Sequence, residues 1–333
     1  MLNLGIIGTN WITNQFIDAA IETKEYQLVA VYSRKKEQAE TFGKPYGATI
    51  FETKLEDFAN HPGIDVVYIA SPNSLHFQQA LTLMKAKKHV IVEKPMFSNP
   101  TEWHAAKQVA EENDVFLLEA ARHIHEQNFA IVKEELTKID DIKGATFTYM
   151  KYSSRYDQVL EGQEPNIFSP HFSGGALSDL GVYGVYAAIG WFGMPISCHY
   201  FAQKIATEVD GMGTMILRYP GFDVTLLTGK MVDSYLPSEI YTLNQTILMD
   251  GVNAISSIEV IDRKTATRQE RATPPQENPM VDEAKAFAKV LNHPEDKKNQ
   301  ELYQSWLLLS QQVNEVLKKL RDDAGIVFDA DKI

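Results

Sequence analysis

One cysteine in 333 residues, Cys198, excludes an internal disulfide and fits a reducing compartment. Positive charge is also scarce: 32 Lys and Arg stand against 44 Asp and Glu, a formal net charge of −12. Such a surface repels phosphate backbones, so nucleic acid is not an expected partner. The N-terminus, Met1-Leu2-Asn3-Leu4-Gly5-Ile6-Ile7, has no basic stretch and no small-residue cleavage site, and reads as a strand rather than a signal. Long apolar runs are missing with one exception. Leu180 to Cys198 carries no charge, but Gly181, Gly184, Gly190, Gly193 and Pro195 punctuate it, which predicts a packed helix and a turn rather than a membrane span. No internal repeat or low-complexity tract is present. What remains is the expectation of a cytoplasmic protein whose partners are small molecules. Hydrophobic residues at 44% and charged residues at 23% supply a sizeable core, and the length suits two domains.

From residue 1 to about 120, short apolar runs alternate with helix-period segments. Leu4–Ile7, Leu28–Tyr32, Val66–Ala70, Val90–Val92 and Val115–Leu118 read as buried strands. Phe77, Ala80, Leu81 and Met84 mark one face of a helix between them. This alternation predicts parallel strands joined by right-handed crossovers, a doubly wound sheet whose ligands sit at the carboxyl ends of the strands.

Four stretches fall at that edge. Gly8-Thr9-Asn10-Trp11-Ile12-Thr13 follows the first strand, where a dinucleotide fingerprint wants G-x-G-x-x-G/A. Only Gly8 keeps the pattern, Asn10 is expected to tolerate a left-handed turn, and the helix start supplies N–H groups for an anion. The alternative is an ordinary strand–helix turn. After the second strand come Ser33 and Arg34, with no carboxylate to repel a 2′-phosphate. That choice favours NADP over NAD, unless Ser33 merely caps the helix starting near Arg34. After the fourth strand, Ser71, Pro72 and Asn73 form a turn, Ser74 is placed to cap a helix from Leu75, and His76 is a packing or hydrogen-bonding residue in its first turn. The last stretch is Glu93-Lys94-Pro95. Pro95 ends the strand, Lys94 points into the crevice, and Glu93 holds the lysine by charge; the competing reading is a surface Lys-Pro turn.

Beyond residue 120 the pattern changes. Phe129, Val132 and Leu136 share a helix face, then alternating segments follow at Ala145–Met150, Gly213–Tyr219, Phe222–Leu227, Thr246–Met249 and Ile255–Ile261. Pro220-Gly221 predicts a hairpin, Thr273-Pro274-Pro275 ends the sheet, and a helix with a stripe from Leu302 to Leu320 closes the chain. An exposed sheet face carrying Met215, Leu217 and Leu226 is expected to pair with another copy, giving a homodimer or higher homo-oligomer. His123-Ile124-His125-Glu126 lacks the spacing of a helical zinc pair, so no metal site is expected there. Arg122 is open to either a crevice or a salt-bridging role.

Together, Ser-Pro-Asn-Ser-Leu-His, Lys-His-Val-Ile-Val-Glu-Lys-Pro and Ser173-Gly174-Gly175-Ala176-Leu177-Ser178-Asp179-Leu180-Gly181-Val182-Tyr183 resemble the glucose–fructose oxidoreductase / inositol dehydrogenase / MocA family. The resemblance implies an α/β plus α+β protein: a Rossmann domain over 1–120, then a substrate-binding and oligomerisation domain over 121–333 with an open, mostly antiparallel sheet. It also implies NAD(P)-dependent hydride transfer on a carbonyl or hydroxyl carbon of a sugar, polyol, diol or similar molecule. Lys94, Asp179 and Tyr183 are the implied catalytic residues. Asp179 and Tyr183, four apart, would share a helix face turned toward Lys94 and the nicotinamide, with Asp179 fixing the lysine's charge. Gly8, Thr9, Asn10, Trp11, Ile12, Ser33, Arg34, Ser71, Pro72, Asn73, His76, Glu93 and Lys94 are the expected cofactor-binding residues. The other reading is a cofactor-binding sensor without turnover, against which the intact Lys94, Asp179 and Tyr183 stand.

Overall fold

The structure, a computed structural model, describes residues 1–332. The chain divides into two compact units, the first made of residues 1–122 and 276–310, the second of 123–275 and 311–333.

Six short Val- and Ile-rich strands build the first unit: β1 (Leu2–Ile7), β2 (Tyr26–Tyr32), β3 (Ile50–Glu52), β4 (Val66–Ile69), β5 (His89–Glu93) and β6 (Leu117–Ala120). All pairs are parallel, in the order β3-β2-β1-β4-β5-β6. The connecting helices are α1 (Trp11–Glu22), α2 (Lys36–Gly43), α3 (Leu55–Ala59), α4 (His76–Lys85) and α5 (Pro100–Asn113). Alternate strand residues serve opposite faces. Leu4, Ile6, Val66, Tyr68, Ile91 and Leu118 join one apolar cluster; Ile7, Val67, Ile69, Val90, Val92 and Leu117 join the other. Strand order reverses between β1 and β4, the switch point at which such sheets bind nucleotides.

The second unit carries α6 (Gln127–Leu136), β7 (Ile142–Met150), α7 (Arg155–Leu160), α8 (Val182–Phe192), β8 (Ser197–Lys204), β9 (Asp210–Tyr219), β10 (Phe222–Gly229), β11 (Ser238–Thr242), β12 (Gln245–Met249), β13 (Ile258–Asp262) and β14 (Arg268–Glu270). Its eight-stranded sheet runs β14-β13-β12-β11-β7-β10-β9-β8, antiparallel except for the β7–β10 pair. The expected hairpin at Pro220-Gly221 joins β9 to β10, with Gly221 at φ +88°. Helix α8 lies on one face of this sheet, and Gly181 and Gly184 bring it close: a Cβ at Gly181 would stand 3.2 Å from Met215, and one at Gly184 3.4 Å from Leu226. This corrects the expected oligomer face. Met215, Leu217 and Leu226 are buried within their own chain, and the residues on the opposite face are the half-covered Ile216, Thr225, Leu227, Leu248 and Ile261. Alternation shows that a strand has two faces but does not say which one the chain itself covers.

The tail of the chain departs from a second unit running unbroken over 121–333. Helix α9 (Val281–Asn292) and the first part of α10 (Lys297–Asp323) belong to the first unit. Met280, Val281, Ala284 and Phe287 enter the cluster under α1, Tyr26 Oη donates to Ala284 O at 3.0 Å, and Trp103 Nε1 donates to Ser310 Oγ at 3.0 Å. The proline-rich stretch that was read as the end of a sheet is also the passage back to the first unit. No helix among the described residues is long and apolar enough to cross a membrane.

Phe287, buried in that cluster, is expected to cost about 3–5 kcal/mol when changed to Ala, whereas Phe201→Ala, on a side chain 71% exposed, should change stability by under ~0.5 kcal/mol. Urea unfolding followed by circular dichroism reads both. Equal losses would contradict the packing of α9 on the first unit.

Candidate active site

At the end of β1, Gly8 adopts φ +107°, and a Cβ there would stand 2.5 Å from Ala70 O, so only glycine fits. Asn10 does not take the left-handed conformation expected of it. Its backbone is extended (φ −114°, ψ 178°) and its side chain caps α1: Oδ1 accepts from Ile12 N at 3.0 Å and Thr13 N at 3.3 Å, while Nδ2 donates to Ala70 O at 3.0 Å. The amide is thereby turned back onto the chain, while Trp11 beside it is 73% exposed. Two helix-start N–H groups are already satisfied by Asn10, which narrows what the turn offers an anion.

After β2, Ser33 is not the cap of α2, which begins at Lys36 without a side-chain cap. Ser33 Oγ donates to Gln38 Oε1 at 3.2 Å and Gln38 Nε2 donates to Thr9 Oγ1 at 2.6 Å, so the loops after β1 and β2 are tied through a residue that sequence reasoning missed. Nothing in the spacing of Gln38 signals this role. Arg34 and Lys35 are exposed. Beside them opens a cleft of about 600 Å³ lined by Thr9, Asn14, Lys35, Gln38, Phe42 and Tyr46.

The loop after β4 also differs in detail. Asn73–Leu75 form a single 3-10 turn, α4 starts at His76, and Ser74 caps nothing because it lies inside that turn. His76 is fully buried, with Nε2 2.8 Å from Ser71 O and Nδ1 3.2 Å from Met96 O, so its ring links the loops after β4 and β5. Burial pushes its pKa down to about 4 despite these carbonyl neighbours. Ser71 Oγ in turn donates to Gln79 Oε1 at 2.7 Å. Glu93 is buried; Tyr68 Oη donates to Oε1 at 2.5 Å and Lys94 N to Oε2 at 3.2 Å. Burial raises its pKa, and the charges of Lys94 and Arg122 pull against that. Lys94 is half-buried, the Lys94–Pro95 peptide is cis, and Met96 N donates to Glu119 Oε1 at 2.9 Å to fix the loop beyond.

In the second unit, Gly174 packs where a Cβ would be 2.6 Å from Ile167 O, and Gly175, at φ +117°, leaves room for the buried Asp210 carboxylate. Asp210 accepts from Leu177 N at 2.6 Å and Tyr200 Oη at 2.6 Å; burial raises its pKa. Leu177–Gly181 is a π-helical turn leading into α8, not the continuous α-helix expected. Asp179 lies on that wider turn, and Tyr183 on the first turn of α8, its ring 4.8 Å from His123 and 5.6 Å from Tyr149. The structure pairs the Asp179 carboxylate with Lys230 Nζ, a partner that the sequence reading did not name. Lys230, 3% exposed, immediately follows β10 and had been missed, although a strand running straight into lysine is the same signal that marked Lys94.

A parallel sheet of this order, with a positive-φ glycine after β1, is the architecture of a dinucleotide-binding domain. The chain belongs to the glucose–fructose oxidoreductase / inositol dehydrogenase / MocA family: that oxidoreductase family, with its NAD-binding Rossmann fold, matches residues 2–120. The oxidoreductase YgjR of Escherichia coli K12 is 37% identical over 335 residues, covering 100% of this chain and 99% of its own. Bacillus subtilis IolU, a scyllo-inositol 2-dehydrogenase (NADP(+)), is 36% identical over 333 residues and all of both chains. Among solved structures, the 3-ketoreductase KijD10 of Actinomadura kijaniata, in complex with NADP and TDP-benzene, superposes with a TM-score of 0.84 at 19% identity over 97% of each chain.

His76 and His125, the latter pushed down to about 3 by burial, are held neutral in the folded chain. The unfolded chain takes up their protons near the ordinary 6.5, so the stability they contribute is complete above that pH and is lost as pH falls toward 4 and 3. Urea midpoints should drop between pH 7 and pH 5, ahead of general carboxylate protonation; a flat profile there would contradict the buried neutral rings.

Proposed function

We propose that this chain is an NADP-dependent dehydrogenase that interconverts a secondary hydroxyl and a ketone on a cyclic polyol of the inositol kind. The observation that carries the reading is the 36% identity with a scyllo-inositol 2-dehydrogenase (NADP(+)) over the full length of both chains. A trans-1,2-dihydrobenzene-1,2-diol dehydrogenase from Oryctolagus cuniculus, 25% identical over 352 residues, extends the same CH–OH chemistry to a cyclic diol.

The residues after β1 and β2 fit a dinucleotide. Gly8 keeps side-chain bulk away from the β1–β4 switch point, and the loop after β2 presents Ser33, Arg34 and Lys35 with no carboxylate. Arg34 pairs with a 2′-phosphate or stacks on the adenine, and the Ser33 hydroxyl, turned from Gln38, donates to the phosphate. Asn10, Ser71, Asn73 and His76 shape the edge between these loops and the nicotinamide end. When bound, the nicotinamide accepts or returns the hydride. Lys94 handles the hydroxyl proton or polarises the carbonyl, with Glu93 behind it as a buried counter-charge. Asp179 accepts a hydrogen bond from the substrate and Tyr183 donates one to the reacting oxygen.

Arg34→Ala should remove most of a ~10- to 100-fold preference for NADPH over NADH, read by fluorescence titration of both cofactors. Equal or tighter NADH binding by the parent would overturn the NADP assignment. Lys94→Ala should leave NADPH affinity nearly unchanged and slow turnover of scyllo-inositol by about 100- to 10,000-fold, followed by NADPH absorbance. Near-parental turnover would remove Lys94 from the mechanism.

A further inference from the structure

We infer that Lys230 is a positioning residue for this reaction, holding the Asp179 carboxylate ionised and fixed in direction so that it meets the substrate as an oriented acceptor. The inference rests on the function proposed above and adds to it a residue outside the Lys94, Asp179 and Tyr183 set.

Lys230 lies beneath its partner: its side chain is 3% exposed and that of Asp179 27%, so the carboxylate is the part of the pair that an incoming molecule reaches. The lysine is anchored at both ends. Its backbone N donates to Gly211 O at 2.8 Å and its carbonyl accepts from Ser153 N at 3.0 Å, while Nζ stands 5.4 Å from the centre of the fully buried Phe168 ring. A second carboxylate feels the same charge. Asp210, 1% exposed, is pushed toward its neutral form by burial and drawn back by the hydrogen bonds from Tyr200 and Leu177 and, less, by the charge of Lys230. Asp210 grips Leu177 N, the first residue of the π turn on which Asp179 sits. Asp210 thereby fixes the start of that five-residue turn, and Lys230 fixes the Asp179 carboxylate carried upon it. An ammonium is costly to bury, and a buried ion pair is seldom better for stability than a well-packed apolar pair. What the pair supplies that apolar packing would not is a partly exposed carboxylate whose charge and direction are set before substrate arrives.

The test uses the full chain with NADP and scyllo-inositol. Lys230→Met should lower kcat about 10-fold or more with the KM for NADP unchanged, and Lys230→Arg should recover most of the loss. In an Asp179→Asn background, Lys230→Met should cause no further loss, because the lysine acts through that carboxylate. Parental kcat in Lys230→Met, or losses that multiply in the double variant, would overturn the inference. If the parent does not turn over scyllo-inositol, the proposed substrate fails and the lysine is judged without it. In protein labelled with 15N-lysine, the Lys230 ammonium, assigned by its loss in Lys230→Arg, should give a resonance protected from exchange that disappears in Asp179→Asn. The same readout decides the matter should Lys230→Met not fold. Its persistence in Asp179→Asn would overturn the inference.

Discussion

Keeping both faces of a parallel sheet dry is the constraint from which the first unit follows. Strands buried on two sides offer apolar residues to both faces, so helices must cover both. The helices within the first 120 residues cover one face and part of the other. Phe287, Ala284 and Val281 complete the second cluster from more than 150 residues downstream. With the sheet held this way, its carboxyl edge is a rigid rim: Gln38 ties the loops carrying Gly8 and Ser33, His76 those carrying Ser71 and Lys94, and Asn10 joins the two pairs through Ala70 O.

The two units solve a similar local problem by similar means. In each, a positive-φ glycine lets an oxygen approach where a Cβ would collide: Ala70 O at Gly8, the Asp210 carboxylate at Gly175. In each, a polar side chain then takes up backbone N–H groups at the start of a helical segment, Asn10 for α1 and Asp210 for the π turn. Both devices leave a chemistry-bearing stretch fixed by satisfied hydrogen bonds, so the groups proposed for catalysis need not be ordered by the substrate.

Much of this could be read along the chain. Val-Ile runs separated by helix-period segments specify a doubly wound sheet because strand and helix periods differ and connections are right-handed. The Pro220-Gly221 hairpin was legible because its chemistry is local. Helix α9 was not, since Val281–Asn292 follows a proline-rich passage and its destination depends on a face left uncovered elsewhere. Asn10 was misread for a related reason: asparagine suits either a left-handed turn or an N-cap, and the nearby Ala70 carbonyl selects the cap.

Residue type and local spacing thus determined the family, the sheet with its binding edge, and the presence of Lys94, Asp179 and Tyr183, because those depend on periodicity and on short motifs. Tertiary structure alone decided which side of the antiparallel sheet is covered, that Gln38 joins Ser33 to Thr9, and that Asp179 pairs with Lys230, 51 positions away. Each of these is a contact between segments distant in sequence, and a chain carries no local mark of a partner that only folding brings within reach.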